Sequence, residues 1–421
     1  MNNKQLTIGL FGFGVVGEGL FRVLQQTSSL NARLEKVCIK HKNKKRNAPA
    51  ALFTNNAQEL LNNQDINVIV ELIDDAEAAF TIVKQALKKG KAVVSANKKM
   101  IAEHLPELLE LQKKTEQPFL YEAAACASIP IIRNLEEYYD NELLQSLRGI
   151  INGSTNFILS RVSEQQMDFE TALKFAQQSG FAESDPSLDI SGLDAANKWS
   201  FLLTHAYGII TSPDEIIYSG IENLLPDDTK VAAQKNEVIK LVAQARKLKD
   251  GKIAAVILPQ LVKNNDPLFS VKDEYNGMVI ESGFAEQQFF YGKGAGSLPT
   301  ASAVLSDISA LSYQYRYEYK KLLKQKPSTL STDFYLRVMV SYVSGILLNP
   351  VDFEWIEERF SSNSHNYFTG IIHNSRLIQQ DWWQQKGVSL ILLPKGIVDK
   401  EELAQYRPSK TEAQWAEVFN Y

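Results

Sequence analysis

A glycine-rich loop between a predicted strand and a predicted helix constrains this chain more than any other feature. Residues 6–12 (LTIGLFG) form an apolar run that ends in glycine, which predicts a buried strand. Val15 to Leu24 has the apolar spacing of a helix packed on a sheet. The loop that joins them is Gly12-Phe13-Gly14-Val15-Val16-Gly17. This is a GxGxxG pattern in a strand–loop–helix context, which favours dinucleotide binding over a plain turn between packed elements.

Each glycine of the loop has a separate physical role in such a site. The first permits a tight turn, the second lets the backbone approach a pyrophosphate, and the third lets the helix pack closely on the strand. The amino terminus of the helix then faces the anion.

Strands and helices continue to alternate through the first third of the chain. Lys36 to Lys40, Ile66 to Ile73 and Ala92 to Ser95 have the length and apolar character of strands, and a helix ends at Lys88-Lys89-Gly90. This alternation predicts an α/β fold with a Rossmann-type, doubly wound parallel sheet. We assign it to residues 1–130 and expect residues from about 295 to 320 to complete it.

Two changes of pattern predict two further domains. Helical stretches at 131–145, 168–180 and 193–207, joined by polar loops, indicate an α+β domain over residues 131–312. After the charged stretch from Lys320 to Pro327, the segments FYLRVMVSY and VSLILLP are typical of strands. They predict a small α/β module over residues 328–421.

Composition and charge exclude several functional classes. The chain has 45 Lys and Arg against 49 Asp and Glu, which is too balanced for a nucleic-acid binder or a polybasic membrane protein. Its two cysteines, Cys38 and Cys126, exclude a disulfide framework and indicate a reducing compartment. The amino terminus lacks signal-peptide features, and the uncharged stretch from Val338 to Val351 is too short to cross a bilayer. We therefore expect a cytoplasmic protein that binds small molecules, with neither nucleic acid nor membrane as partner.

The predicted second strand ends in a cation instead of an acid. NAD-binding folds usually carry Asp or Glu at this position to bond the ribose hydroxyls, whereas this chain has Lys40. The run from Lys40 to Arg46 places several cations where the 2′-phosphate of NADP would lie. It predicts NADP as the cofactor, with NAD as an alternative and a solvated charged loop as the other interpretation of the run.

A stretch dense in carboxylates, GFAESDPSLDISGLDAANK, covers residues 180–198. Asp194 and Lys198 are four residues apart, so both project from one face of a helix. A lysine beside carboxylates in a cleft can donate a proton to the alkoxide that forms when an aldehyde is reduced. Glu183 and Asp189 are suited to hold a substrate ammonium group. From spacing alone, an ordinary surface ion pair is the favoured alternative.

Five motifs together resemble the homoserine dehydrogenase family over about residues 6–312. In chain order they are GFGVVG, KAVVSANKKMIA, GIINGSTNFIL, FAESDPSLDISGLDAANK and YGKGAGSLPTASAVLSD. The resemblance implies NAD(P)H-dependent reduction of L-aspartate 4-semialdehyde to L-homoserine in threonine, methionine and isoleucine biosynthesis. It also makes the second domain the catalytic and dimerisation domain of a homodimer or a dimer of dimers. The alternatives are a dehydrogenase of another amino-acid semialdehyde and a non-catalytic dinucleotide-binding regulator.

The resemblance also implies roles for individual residues. Lys198 looks like the proton donor, Asp194 like the acid that orients the substrate and shuttles the proton, and Glu183 like the residue that binds the amino-acid end. Lys98 looks like a second lysine at the cofactor and the substrate. The loop from Asn152 to Asn156 resembles the one beside the nicotinamide. The remaining positions implied at the substrate or the cofactor are Gly153, Ser154, Gly180, Gly294 and Gly296. Helix starts and ordinary tight turns are the alternative interpretations of these residues.

The chain departs from the family pattern in three places. Asp74-Asp75 replaces a glycine pair after a strand, which could weaken anion binding. The segment 122–130 is poorer in glycine than the family segment that often binds a monovalent cation through backbone carbonyls. Because carbonyl ligation survives a change of side chain, Na⁺ or K⁺ is still assigned to four backbone carbonyls. They belong to Glu122, Ala125, Ala127 and Ile129. The last module weakly resembles an ACT domain, but Tyr342-Val343-Ser344-Gly345 lacks the expected acid and proline, so no effector is predicted.

Two further residues near these motifs are predicted to be structural. Cys126 is expected to fill a packed loop. His205, seven residues after Lys198 on the same helical face, is expected to be a packed histidine and not a catalytic one.

Overall fold

A computed structural model describes residues 5–27, 29–41, 44–141, 143–362 and 365–407 of the chain. The amino-terminal part is a parallel sheet of six strands. They are β1 (Leu6–Phe11), β2 (Ala32–Cys38), β3 (Phe53–Thr54), β4 (Val68–Glu71), β5 (Ala92–Ser95) and β6 (Phe119–Leu120). The strand order is β3-β2-β1-β4-β5-β6, which confirms the predicted doubly wound sheet.

The helices of this part connect successive strands. They are α1 (Val15–Gln26), α2 (Ala57–Leu61), α3 (Ala76–Lys88) and α4 (Lys98–Thr115). Asp75 and Asn97 begin α3 and α4 by accepting hydrogen bonds from the backbone N–H groups of Ala78 and Met100, both at 2.9 Å. β1 and β4 bury every residue they contain, as expected of strands covered on both faces.

The second strand differs from the prediction at both ends. It begins at Ala32 and ends at Cys38, so the predicted span from Lys36 to Lys40 missed its first half and ran past its end. Its outer neighbour β3 is only two residues long. Because the start of β2 pairs on one side only, it tolerates the polar residues that concealed it in the sequence.

The rest of the chain is built on one mixed sheet of ten strands. They are β7 (Leu144–Ile150), β8 (Ile217–Tyr218), β9 (Glu237–Lys247), β10 (Ile253–Lys263), β11 (Tyr275–Ser282), β12 (Glu286–Lys293), β13 (Tyr335–Tyr342), β14 (Phe353–Ser361), β15 (Asn366–His373) and β16 (Val388–Val398). The order is β12-β11-β7-β9-β10-β16-β13-β15-β14, and β8 pairs with β10.

Nine further helices follow α4 in the described residues. They are α5 (Glu122–Cys126), α6 (Ile131–Arg133), α7 (Gly153–Gln165), α8 (Phe169–Gln178), α9 (Ser187–Ile190), α10 (Leu193–Tyr207), α11 (Pro226–Gln234), α12 (Ser297–Leu311) and α13 (Asn374–Gln379). The predicted helices at 168–180 and 193–207 correspond to α8 and α10.

The helix predicted over residues 131–145 is wrong in its second half. One turn of α6 is followed by a π-helical turn at Asn134–Tyr138, and β7 begins at Leu144. β7 pairs with both β9 and β11. Pairing with strands that lie about a hundred residues away overrides the local helical pattern.

The chain returns to the first domain at α12, which packs against α1. The Ser297 hydroxyl donates to the carbonyl of Val15 at 2.6 Å. A Cβ atom on Gly19 of α1 would lie 2.6 Å from the Ser297 oxygen, so the two helices approach closely at a glycine. Residues in the range 295–320 thus lie against the dinucleotide-type fold.

The carboxy-terminal strands continue the sheet of the second domain. β16, β13, β15 and β14 form four antiparallel neighbours, and β16 runs parallel to β10. Leu248, Ala254, Val256 and Leu258 share one apolar core with this module. Residues 343–352 connect β13 to β14 and contain one short helical turn, Pro350–Asp352.

Candidate active site

The buried pair Asp194 and Lys198 lies at the start of α10. Asp194 is 3% exposed, and its Oδ2 lies 2.8 Å from Nζ of Lys198 one turn later. The same ammonium group donates to the backbone carbonyl of Ile151 at 2.9 Å. The pair is therefore not an exposed surface ion pair, because both groups are enclosed and hydrogen-bonded. Two acceptors engage an ammonium group that can donate three hydrogen bonds.

Lys98 reaches Asp194 from the first domain. It is the first residue of α4, and its ammonium group contacts Oδ1, the carboxylate oxygen that Lys198 leaves free. The Lys98 side chain is 44% exposed, whereas Oδ1 of Asp194 is buried, so a partly exposed lysine reaches into an enclosed carboxylate. Asp194 thus links a buried lysine of the second domain to an accessible lysine of the first.

The electrostatics of this triplet follow from its charges. Burial alone would raise the pKa of Asp194, yet the charges of Lys198 and Lys98 hold that pKa well below its usual range. The charge of Asp194 raises the pKa of Lys98 against the effect of burial, and Asp189 and Glu183 add to the rise. The carboxylate and the Lys98 ammonium therefore stay ionised at neutral pH.

Asn152 organises the acids of the site. Its amide nitrogen donates to Asp189 at 2.7 Å and to Asp194 at 2.8 Å. Its amide oxygen accepts from the backbone N–H of Thr155 at 2.8 Å and so caps α7. The resemblance placed Asn152 in the loop beside the nicotinamide, with a helix cap as the alternative, but nothing local shows that it bridges two acids about forty positions away.

Gly153 and Ser154, at the start of α7, serve close packing in this structure. A Cβ atom on Gly153 would lie 2.7 Å from the carbonyl oxygen of Glu274. The Ser154 hydroxyl donates to the carbonyl of Phe181 at 2.6 Å, which ties α7 to the segment after α8. This segment contains Gly180, which has φ +77° at the end of α8.

Glu183 and Asp189 lie at the mouth of the same site. Glu183 is exposed, and its backbone carbonyl accepts from Gln177 at 3.0 Å. Asp189 is half-buried in α9 through its contact with Asn152. Since both charges act on Lys98, the mouth combines two acids with an accessible lysine, as a substrate with an ammonium and a carboxylate group requires.

The glycine loop has the shape that a dinucleotide needs. Gly12 has φ +92°, and a Cβ atom there would lie 2.4 Å from the carbonyl oxygen of Leu72. A Cβ atom on Gly17 would lie 2.5 Å from the carbonyl oxygen of Gly12. By contrast, nothing lies within 4 Å of that position on Gly14, the N-cap of α1. Two glycines thus permit the turn, and the third leaves open space in front of a helix amino terminus.

Phe13, Val15 and Val16 of the loop can offer a dinucleotide only their backbone or a solvent-facing surface. The Phe13 ring packs edge-on against Phe53, with 5.1 Å between centroids. Val15 is 71% exposed, and Val16 is half-buried.

Lys40 lies two residues beyond β2 and is exposed. Arg46 donates to the carbonyls of His41 and Lys44, each at 2.7 Å, so this cation folds back on its own loop. Lys42 and Asn43 of the predicted cationic run lie outside the described residues. Lys40 is therefore the accessible cation of the run nearest to the strand end.

Gly294 and Gly296 of the GKGAG segment have different surroundings, and Gly294 adjoins a buried amide that the sequence did not single out. Gly296 has φ +122° and precedes α12. A Cβ atom on Gly294 would lie 2.2 Å from the side chain of Asn276. Asn276 is fully buried, and neither polar atom of its side chain has a hydrogen-bond partner.

The segment assigned to a cation is a sharp bend after α5. Ala127 has φ +45°, and the carbonyl of Ile129 accepts from the N–H of Ile131 at 2.8 Å. The Glu122 carboxylate accepts from the N–H groups of Ile132 and Arg133 at 2.8 and 2.9 Å. Only backbone carbonyls here, including those of Ala125 and Ala127, therefore fit a cation. Burial, with the charge of Asp307 adding, raises the pKa of Glu122 to about 8.

The two residues predicted to be structural are enclosed. Cys126 is fully buried, and burial raises the pKa of its thiol to about 12. His205 is fully buried between Glu136, 2.6 Å from Nδ1, and the Tyr121 hydroxyl, 2.8 Å from Nε2. Both belong to the packing around the site.

Comparisons with known proteins agree with this geometry. A family model described as "Homoserine dehydrogenase" matches residues 130–309, and one described as "Homoserine dehydrogenase, NAD binding domain" matches residues 12–122. The chain is 35% identical to a homoserine dehydrogenase of Helicobacter pylori over 82% of this chain and 84% of that protein.

Solved structures show the same relationship. A homoserine dehydrogenase from Thiobacillus denitrificans has a TM-score of 0.82 and 26% identity, covering 93% of this chain and 98% of that one. A mutant of a hyperthermophilic archaeal homoserine dehydrogenase, solved in complex with NADPH, has a TM-score of 0.63 and 26% identity over 75% of this chain and all of that one.

Proposed function

Since the chain belongs to the homoserine dehydrogenase family, and is therefore an NAD(P)-dependent oxidoreductase, we propose that Lys198, Asp194 and Lys98 serve its reaction. The reaction is the reduction of L-aspartate 4-semialdehyde to L-homoserine. The observation that carries this proposal is the lysine–carboxylate–lysine triplet, in which the buried pair of Asp194 and Lys198 is joined to Lys98 of the first domain.

Lys198 is the proton donor in this proposal. The cofactor, when bound, supplies hydride to the aldehyde carbon, and the oxygen then gains negative charge. Lys198 keeps one N–H beyond those directed at Asp194 and Ile151, and this N–H serves the oxygen. A cation held in a buried site also stabilises the developing alkoxide before the proton moves.

Asp194 and Lys98 support that transfer. Asp194 fixes the Lys198 ammonium group, and it returns a proton to the site from Lys98, whose side chain is 44% exposed. Glu183 and Asp189 bind the substrate ammonium group, and Lys98 binds its carboxylate. The exposure of Glu183 and the half-buried position of Asp189 support these roles at the mouth of the cleft.

The residues around the cofactor fit NADP. Gly14 leaves room for a pyrophosphate at the amino terminus of α1, and the exposed Lys40 follows the end of β2, where NAD-binding folds usually carry an acid. In this proposal the backbone of Gly180, Gly294 and Gly296 lies close to the nicotinamide end of the cofactor. NAD remains the alternative cofactor, and the cationic loop supports NADP over it.

We assign a Na⁺ or K⁺ ion to the backbone carbonyls of the bend after α5. Neutral carbonyl ligands suit a monovalent cation, and Glu122 is already engaged by backbone N–H groups. The ion would stiffen the bend that separates the two domains. No step of the reaction is routed through it.

We also propose that the second domain forms a homodimer. β12 is an edge strand of the large sheet, and its aromatic side chains are accessible, with Phe289 and Tyr291 on it and Phe284, 85% exposed, in the preceding turn. Exposed apolar groups along an edge favour contact with a second copy.

A cytoplasmic location rests on the cysteine usage noted in the sequence. In the described part of the chain, no helix is both long and apolar enough to span a membrane.

The proposed function is tested by oxidation of NADPH with aspartate semialdehyde, in wild type and in Lys198→Ala. We expect the substitution to lower kcat by about 10²- to 10⁴-fold, because it removes a general acid. Lys174→Ala, an exposed lysine of α8, is the matched control and should keep wild-type kcat.

A fluorescence titration with NADPH accompanies these assays. Tight NADPH binding without turnover in wild type would contradict the enzyme proposal and favour a regulator. Full activity in Lys198→Ala would contradict the assignment of the proton donor.

A further inference from the structure

A buried acid lies behind the active site and has no part in the chemistry proposed above. Glu71 is the last residue of β4 and is fully buried, with Phe11 of β1 and Ser95 of β5 as its register partners. One carboxylate oxygen accepts from the backbone N–H of Ile73 at 2.7 Å. The other accepts from the Ser95 hydroxyl at 2.6 Å. The acid is thus fully engaged at the carboxyl end of the sheet, where ligands bind in such folds.

These contacts belong to a closed ring of hydrogen bonds between the loops that follow β4 and β5. The backbone N–H of Asn97 donates to the Ser95 hydroxyl at 3.1 Å. The side-chain nitrogen of Asn97 donates to the carbonyl of Ile73 at 3.0 Å and closes the ring. The side-chain oxygen of Asn97 caps α4. The ring therefore fixes the first turn of the helix on which Lys98 is the first residue.

We propose that Glu71 is a positioning residue, which holds the start of α4 so that Lys98 meets Asp194 across the cleft between the domains. The inference rests on the proposed function, because it concerns how Lys98 serves that reaction. A long, half-exposed lysine side chain loses rotamer freedom when it is held on one partner. By fixing the backbone at the start of α4, the ring of hydrogen bonds limits how much further freedom Lys98 loses when its side chain meets Asp194.

The titration of Glu71 makes the proposal testable through the pH dependence of kcat/KM. Burial raises the pKa of Glu71 to about 7 against the lowering effect of its two hydrogen bonds, and the charge of Asp74 adds to the rise. The register partners on β1 and β5, Phe11 and Ser95, carry no charge. Below this pKa one oxygen holds a proton and can no longer accept as before. We therefore expect kcat/KM to fall as the pH drops through about 7.

Glu71→Gln tests the proposal because it keeps the shape and the acceptor for Ile73 but turns an NH₂ group toward the Ser95 hydroxyl. We expect KM for aspartate semialdehyde to rise about five- to tenfold, as for the loss of one buried hydrogen bond, with a smaller change in kcat. The decline of kcat/KM near pH 7 should disappear. In a Lys98→Ala background, Glu71→Gln should add no further effect.

Asp352→Asn is the matched control. Asp352 is a buried carboxylate of the carboxy-terminal module, and it accepts from Gln380 at 2.9 Å. This substitution should leave KM and the pH profile unchanged. Ser95→Ala is a second variant, which breaks the same ring while it keeps the carboxylate, and it should reproduce the rise in KM.

A folded Glu71→Gln variant with unchanged KM and an unchanged pH profile would overturn the proposal. Effects that simply add to those of Lys98→Ala would also overturn it. Calorimetric binding of homoserine to the NADP-loaded protein gives the same comparison without turnover. Absence of turnover in wild type would instead contradict the proposed function, so the two failures are distinguishable.

Discussion

Lys40 is the residue at which the choice between the two nicotinamide cofactors can be tested most directly. Its ammonium group is exposed two residues beyond β2, and Arg46 of the same run is engaged with its own loop. We expect Lys40→Ala to lower kcat/KM for NADPH by about tenfold, as for the loss of one charged hydrogen bond, and to leave kcat/KM for NADH unchanged. Lys113→Ala, an exposed lysine of α4, is the control. An equal loss with both cofactors would show that Lys40 does not recognise the 2′-phosphate.

Individual residues of the site were predictable where a short pattern carries chemistry. The glycine loop and the spacing of Asp194 and Lys198 are local patterns, and the structure places them in a turn and in one buried ion pair. Asn152 and Glu71 could not be assigned in this way. Their partners become neighbours only when separate loops meet, and a lone Asn or Glu in a sequence gives no sign of that.

At the scale of elements, the contact between α1 and α12 depends on Gly19. Alanine in a helix interior is favoured over glycine by about 1 kcal/mol, but overpacking costs about 1–3 kcal/mol. A Cβ atom on Gly19 would lie 2.6 and 2.7 Å from side-chain and backbone oxygens of Ser297, and the backbone oxygen cannot rotate away. We therefore expect Gly19→Ala to lower the free energy of unfolding by up to about 2 kcal/mol.

Thermal or urea unfolding measures this effect. Gln25, an exposed position of the same helix, provides the control pair: Gln25→Ala should be more stable than Gln25→Gly, which isolates helix propensity from packing. A stabilised Gly19→Ala variant would show that the two helices can separate without cost.

Elements were predictable from the sequence when they are local and fully buried. β1 and α10 match their predicted spans because burial leaves a continuous or periodic apolar pattern. β7 was missed because it is a strand only through β9 and β11, which lie far along the chain. The start of β2 was missed because its exposed edge admits polar residues.

For the whole molecule, buried ionisable groups determine how stability depends on pH. Burial raises the pKa of Glu71 and Asp307 to about 7 and that of Glu122 to about 8. The folded state therefore holds protons that the unfolded chain releases, and stability falls as the pH rises from about 4 to 8. Burial lowers the pKa of Lys240 and Lys321 to about 8, so that stability rises again from about 8 to 10.5.

These two trends together predict a minimum of stability near pH 8. Urea unfolding midpoints at pH 6, 8 and 10 measure it, with the middle value expected to be the lowest. A maximum at pH 8 would show that other groups outweigh these five.

The sheet that the second domain shares with the carboxy-terminal strands also bears on whether the chain can be shortened. β10 buries ten of its eleven residues, and one of its edges is covered by β16 from the far end of the sequence. A chain that stopped after residue 327 would keep β9 along one edge of β10 and β8 beside Val256 and Ile257, but would leave the rest of the second edge open to pairing with another chain. β16 reaches that edge from the far end of the sequence, at Gln260 of β10. The final strands therefore cover apolar backbone of the second domain, a structural role that needs no bound effector.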